Sequence, residues 1–225
     1  MNAAHESSWD SICSFVGATA PQDDVILHAQ EAAGEFGLPV PDAVTAEFIE
    51  FLAARAAGTA AVEDRTPTAV VMSPASGVIG LHLFAGLNSG GATGHLTCID
   101  PEVQHQQLAK AAFAEADQRP NTFRFLPSAP LDVIGRLASD SYDVVVAETA
   151  VEDIAATAEK TIPALRPGGV LVLLDTLLDG LVADDSRTDR QTVQARQADE
   201  TLRELSGARV SRLPLGAGIT VVTKL

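Results

Sequence analysis

Between Thr68 and Asp100 the chain reads TAVVMSPASGVIGLHLFAGLNSGGATGHLTCID, and no other stretch restricts the fold as much. A short apolar run, Ala69 to Met72, breaks into small and turn-forming residues, Ser73 to Gly77. Ile79, Leu81, Leu83 and Phe84 follow at helical spacing. After a Gly/Ser/Asn-rich turn, a second apolar run from Leu96 to Ile99 ends on Asp100. Strand, tight turn, helix, loop, strand and acid in this order predict the first βαβ unit of a nucleotide-binding sheet. Small residues let a ligand approach the backbone and the helix N-terminus, and a carboxylate closing the second strand accepts hydrogen bonds from ribose hydroxyls. Asp100 falls about 20 residues after the turn, where such an acid belongs. The glycine half is partial: Gly77 and Gly80 stand alone, with Ala75 where another glycine is expected. A structural alternative stays open, in which the glycines serve close helix–strand packing and Asp100 caps a helix starting at Pro101.

The remaining pattern extends this unit. Apolar runs at Phe123–Leu126, Tyr142–Ala147 and Val170–Leu174 predict three more strands. Helices are expected from Pro101 to about Asp117, over Leu131–Leu137, over Val151–Leu165 and over Arg187–Leu205, with Arg166-Pro167-Gly168-Gly169 as a tight turn. Arg209–Leu215 and Ile219–Thr223 read as a closing hairpin. Before residue 67 the chain is alanine-rich and helical. Trp9, Ile12, Phe15 and Val16 mark an amphipathic segment, and Asp23 or Asp24 caps a helix carrying Val25, Ile26, Ala29 and Ala32. Asp42 caps another, with Val44, Phe48, Phe51 and Leu52 toward the core. The expectation is a helical extension over 1–66 and an α/β unit over 67–225, together one compact domain.

Charge narrows the function. Fifteen basic against 30 acidic residues give a net charge of −15, so a nucleic-acid partner is not expected. No apolar run approaches a membrane span and the N-terminus has no basic-then-apolar pattern, which predicts a cytoplasmic protein with no membrane partner. Cys13 and Cys98 have neither disulfide nor metal spacing.

Several local runs then suggest a family. Gly77-Val78-Ile79-Gly80-Leu81, Leu96-Thr97-Cys98-Ile99-Asp100, Tyr142-Asp143-Val144-Val145, Leu165-Arg166-Pro167-Gly168-Gly169 and Leu213-Pro214-Leu215-Gly216-Ala217-Gly218 occur in that order. With them, the chain from about Asp23 to Lys224 resembles the small class I S-adenosylmethionine-dependent O-methyltransferases, the group that includes catechol and caffeoyl-CoA methyltransferases. The resemblance implies a Rossmann-like α/β fold: a mostly parallel sheet with helices on both faces, a C-terminal antiparallel hairpin and an N-terminal helical extension. It implies S-adenosylmethionine as methyl donor, a small-molecule hydroxyl acceptor and a homodimer. Matched position by position, it places Val44, Ser73, Pro74, Ala75, Gly77, Ile79, Asp100, Ser128, Ala129 and Glu148 around the donor.

The match also departs from the family. Where the first-strand motif has an acid and Gly-x-Gly-x-Gly, this chain has Val71 and then Ser73-Pro74-Ala75-Ser76-Gly77, and Ala129 replaces the carboxylate that holds the adenine amino group. Family members carry Asp-Ala-Asp-Lys after the fourth strand and Asp-Asn after the fifth; here stand Glu148-Thr149-Ala150-Val151 and Asp175-Thr176. Glu148 and Asp175 are the catalytic candidates, and with Thr176 the candidate ligands of Mg²⁺ or another divalent cation, which lowers the pKa of the acceptor hydroxyl in the family. Val151 cannot act as a base where the family has lysine. The alternative reading is a non-catalytic relative that keeps the fold as a binding or dimerising module.

Overall fold

Along β1 (Thr68–Met72), Ala69 and Val71 face one hydrophobic core and Val70 and Met72 face another. Successive side chains of a strand point to opposite faces, so a strand covered on both sides must be apolar throughout. The computed structural model describes residues 3–21 and 23–225, with side chains from residue 8. Among them the strands β2 (His95–Ile99), β3 (Phe123–Leu126), β4 (Tyr142–Ala147), β5 (Leu165–Leu173), β6 (Ala208–Leu213) and β7 (Ile219–Lys224) join β1 in one sheet, ordered β3-β2-β1-β4-β5-β7-β6. The first five run parallel; β7 is antiparallel to β5, and β6 to β7. This is the mostly parallel sheet with a C-terminal antiparallel pair that the sequence predicts.

Helices α2 (Asp24–Glu35), α3 (Ala43–Val62), α4 (Ser76–Leu87) and α5 (Val103–Glu115) contribute to the first core, around Ile49, Ile79, Phe84 and Phe113. The short α6 (Pro130–Val133), α7 (Ile154–Thr161) and α8 (Arg190–Arg203) lie by the second, around Met72, Ile154 and Leu202. Aromatic residues are few but concentrated. Phe113 packs edge-on against Phe84 with centroids 5.3 Å apart and lies 5.1 Å from Phe123 and 6.3 Å from Phe125.

Gly77 and Gly80 take part in this packing. A Cβ on Gly80 would lie 2.5 Å from the Phe113 ring, and one on Gly77 would lie 3.0 Å from the Ala109 Cα. Gly77 lets α4 approach α5, and Gly80 lets it approach both α5 and β2, where a Cβ would lie 3.0 Å from Leu96 Cδ2, so the expected helix–strand packing is present at Gly80.

Other expectations need correcting. Phe51 does not face the core; it is 61% exposed, and Ile49, Leu52 and Ala53 are the buried positions of α3. The amphipathic N-terminal segment is α1 (Ala3–Thr19), and Trp9, Ile12 and Phe15 lie exposed on it. The helix expected over 151–165 is α7 flanked by 3₁₀ turns, and that over 131–137 is α6 followed by another. Arg166–Gly169 is an irregularity inside β5, where the register against β4 shifts between Tyr142 and Val144 and Gly168 takes φ +77°. The polar helix begins at Arg190 because Asp189 accepts the Thr192 N–H at 3.0 Å and caps it.

Candidate functional site

Parallel strands end along one edge of the sheet, and the residues following them meet there: Ser73 after β1, Asp100 after β2, Ser128 after β3, Glu148 after β4 and Asp175 beyond β5. Strand order reverses between β1 and β4, which opens the crevice where doubly wound sheets bind ligands. Met72 pairs with Ala147, and the Glu148 N–H donates to the Met72 carbonyl at 2.8 Å. Ser73 and Glu148 therefore emerge side by side. The Ser73 hydroxyl donates to Glu148 Oε2 at 2.7 Å and accepts the Ala75 N–H at 3.1 Å, which ties the turn to the carboxylate.

Burial raises the pKa of the Glu148 carboxyl. The Ser73 bond opposes that rise, and the negative charges of Asp175 and Asp100 add to it. Asp100 is 4% exposed. Its Oδ1 accepts the Glu102 N–H at 2.6 Å, and His105 Nδ1 lies 3.1–3.2 Å from both carboxylate oxygens. Asp100 does not cap a helix at Pro101: α5 begins at Val103 with Glu102 as its N-cap and no side-chain capping bond, and Asp100 holds the Glu102 N–H in the turn before it. Ser76, fully buried at the start of α4, has a hydroxyl with no hydrogen-bond partner.

On the far side of Glu148 is a cavity of about 170 Å³, bounded by the 39–42 loop, Thr45, Glu148, Leu174, Asp175, Gly216 and Ala217. Three carboxylates line it and no basic side chain does. Asp175 holds a left-handed backbone, φ +55°, and its carboxyl pKa is raised by burial and by the charge of Asp42, against the Ala217 amide. Asp42 Oδ1 caps α3 by accepting the Thr45 N–H at 2.7 Å.

The other predicted residues separate. Pro74, Ala75 and Gly77 border a smaller cavity of about 80 Å³ beside His28 and Glu115. Ile79 is fully buried in the core beneath the turn. Ser128 and Ala129 follow β3, Ser128 half-buried and Ala129 exposed. Val44 sits half-buried on the first turn of α3, next to Thr45. Thr176 is 3% exposed and bonded to Thr220 Oγ1 at 2.8 Å and the Gly218 carbonyl at 3.3 Å, so its hydroxyl is committed to the closing hairpin. Glu148, Asp175 and Thr176 therefore do not converge as a ligand set. Among the described residues no group of three His, Cys, Asp or Glu side chains could hold a metal ion. The three-residue ligand set expected for a divalent cation is therefore not assembled, because Thr176 is turned away to the hairpin.

Sequence reasoning missed the cavity-lining Thr45, the cavity-facing side of Asp42, and the contact of His105 with Asp100. Only the Asp42 cap pattern gave a signal; the others depend on convergence in space.

Comparison with known proteins identifies a family. The O-methyltransferase family model matches residues 81–225, which begins just past the altered glycine turn. A relative from Mycobacteroides abscessus, provisionally named an O-methyltransferase, is 32% identical over 99% of both chains. A solved structure of a Corynebacterium glutamicum protein is 46% identical and superimposes with a TM-score of 0.88 over 96% of this chain and 97% of its own. The O-methyltransferase TomG of Streptomyces achromogenes, solved with S-adenosylmethionine, shares the fold at 20% identity and a TM-score of 0.79, over 97% of each chain. No helix among the described residues is long and apolar enough to cross a membrane. With the family model covering most of its length and a 32%-identical relative nearly all of it, this chain belongs to the O-methyltransferase family.

Proposed function

We propose that the chain transfers a methyl group from S-adenosylmethionine to a hydroxyl of a small-molecule acceptor, with Glu148 taking the proton. The position of Glu148 carries this reading: it lies at the switch point, held by Ser73, between the Asp100 edge and the acidic cavity. When bound, the donor supplies an electrophilic methyl on a sulfonium. Asp100 would accept the ribose hydroxyls, with His105 yielding one of its contacts; the small residues of the 73–77 turn leave the backbone accessible; the Ser76 hydroxyl is a buried polar group without a partner. A half-buried carboxylate with a raised pKa is a better general base than an exposed one, because its basicity lies closer to neutral pH. Juxtaposition of the two reactants would supply much of the acceleration.

Isothermal titration with S-adenosylmethionine and S-adenosylhomocysteine, before and after EDTA treatment, tests this. Micromolar binding that EDTA leaves unchanged is expected. No binding at millimolar donor would favour the non-catalytic relative.

The exposed Trp9, Ile12 and Phe15 of α1, with Phe51 on the adjoining α3, support a homodimer in which these apolar side chains are covered by a second copy. The unpaired Cys13 and Cys98 support a reducing, cytoplasmic setting.

A further inference from the structure

The cavity beyond Glu148 contains a second feature, a convergence of oxygens. Gly216, in the β6–β7 turn at φ +57°, leaves a space that a Cβ would fill. That point lies 3.3 Å from Thr45 Oγ1, 3.7 Å from Asp175 Oδ1 and 3.8 Å from Asp42 Oδ2. The three oxygens come from the first turn of α3, the end of β5 and the loop before α3, so only the folded chain brings them together. Thr45 is 2% exposed and its hydroxyl has no hydrogen-bond partner, although it borders the cavity. A buried hydroxyl left in this way is destabilising until something pairs with it.

We propose that Asp42, Asp175 and Thr45 form a recognition site for an ammonium group on the acceptor, whose hydroxyl is presented to Glu148 at the other side of the same cavity. This rests on the methyl-transfer reading and names the substrate class for it. A primary ammonium has three N–H donors and no acceptor, which matches three converging oxygens. All three oxygens lie 3.3–3.8 Å from the position a Gly216 Cβ would take, so they share one wall of the cavity. An anionic acceptor would meet Asp42, Glu148 and Asp175 with no cation lining the cavity. The N-terminus of α3 opposes a cation with roughly half a positive charge, which two carboxylates outweigh.

Benzylammonium, benzyl alcohol and benzoate, equal in ring and reach but different in charge, serve as probes. Each is titrated calorimetrically into the full chain with and without S-adenosylhomocysteine, and into Asp42→Asn and Asp175→Asn. Asparagine still caps a helix and tolerates the left-handed backbone at 175, so both variants keep the fold. Benzylammonium is expected to bind about tenfold tighter than benzyl alcohol, with benzoate weakest, and each variant to lose most of that preference. Equal or tighter binding of benzyl alcohol or benzoate, no binding by any probe, or an undiminished preference in both variants would overturn the assignment. The titration of S-adenosylhomocysteine alone separates the two readings. Its failure counts against methyl transfer, whereas a missing ammonium preference with intact S-adenosylhomocysteine binding counts against this site only.

Discussion

The two halves of the functional edge are built from opposite chemistry. On the β1–β2 side, Val71, Ser73, Ala75 and Ala129 stand where charged or glycine residues were expected, and Asp100 is the acid that remains. On the β4–β5 side, Asp42, Glu148 and Asp175 crowd a cavity of about 170 Å³ without a balancing cation. The first half is poor in charge and holds Asp100 buried against Glu102 and His105. The second has kept charge at a cost in stability, which a fold tolerates where function needs it.

Glu148→Gln gives the largest expected effect. Methyl transfer, followed as S-adenosylhomocysteine release over a panel of phenols and amino alcohols, should fall by about 10²–10⁴-fold, the usual worth of a general base. The same substitution should raise the melting temperature. Because the folded-state pKa of Glu148 is raised, the carboxyl contributes favourably while protonated, and that contribution is lost as pH climbs from the ordinary carboxylate range through the raised value. Near neutral pH the ionised group is therefore a burden that glutamine removes. A lower melting temperature would mean that the Ser73 bond outweighs the desolvation.

On the donor side, Asp100→Ala should weaken S-adenosylmethionine binding about 100-fold by calorimetry, from two charge-assisted hydrogen bonds at roughly 1.5 kcal/mol each. Unchanged affinity would remove Asp100 from the donor site. Gly80→Ala asks whether the glycines belong to either half. Its Cβ meets the Phe113 ring at 2.5 Å, so chemical denaturation should show a loss of about 1–3 kcal/mol, with donor affinity retained in the folded fraction. Weaker donor binding at unchanged stability would instead return Gly80 to a ligand role. The smallest effect concerns pH. Activity should decline as pH falls through the raised pKa of Glu148, and Ser73→Ala should move that decline to higher pH, because the lost hydrogen bond favoured the ionised form.

Much of the sheet was legible in the chain, because strands buried on both faces must be unbroken apolar runs. β3 and β4 span the expected residues, and β2 differs only by beginning at His95. Helix ends were less so. The break around α7 and the late start of α8 depend on turn geometry and on the Asp189 cap, where the sequence showed only a continuous polar or apolar pattern. Phe51 shows the limit of periodicity: an apolar residue at helical spacing reads the same whether it meets the core or an outer face. At the site, Asp100 and Glu148 were visible because each ends a strand. Thr45 was not, since its meaning comes from residues 175 and 216, distant in sequence and close in space. Thr176 sits where the metal motif suggested, yet its side chain turns to Thr220, a bond that position in the chain does not encode.

The division of labour between the halves is tested most directly by titrating S-adenosylhomocysteine into Asp100→Ala and Glu148→Gln side by side. The account predicts that Asp100→Ala loses most of its affinity while Glu148→Gln binds about as tightly as the unmodified chain. Equal loss in both variants, or loss in Glu148→Gln alone, would contradict it.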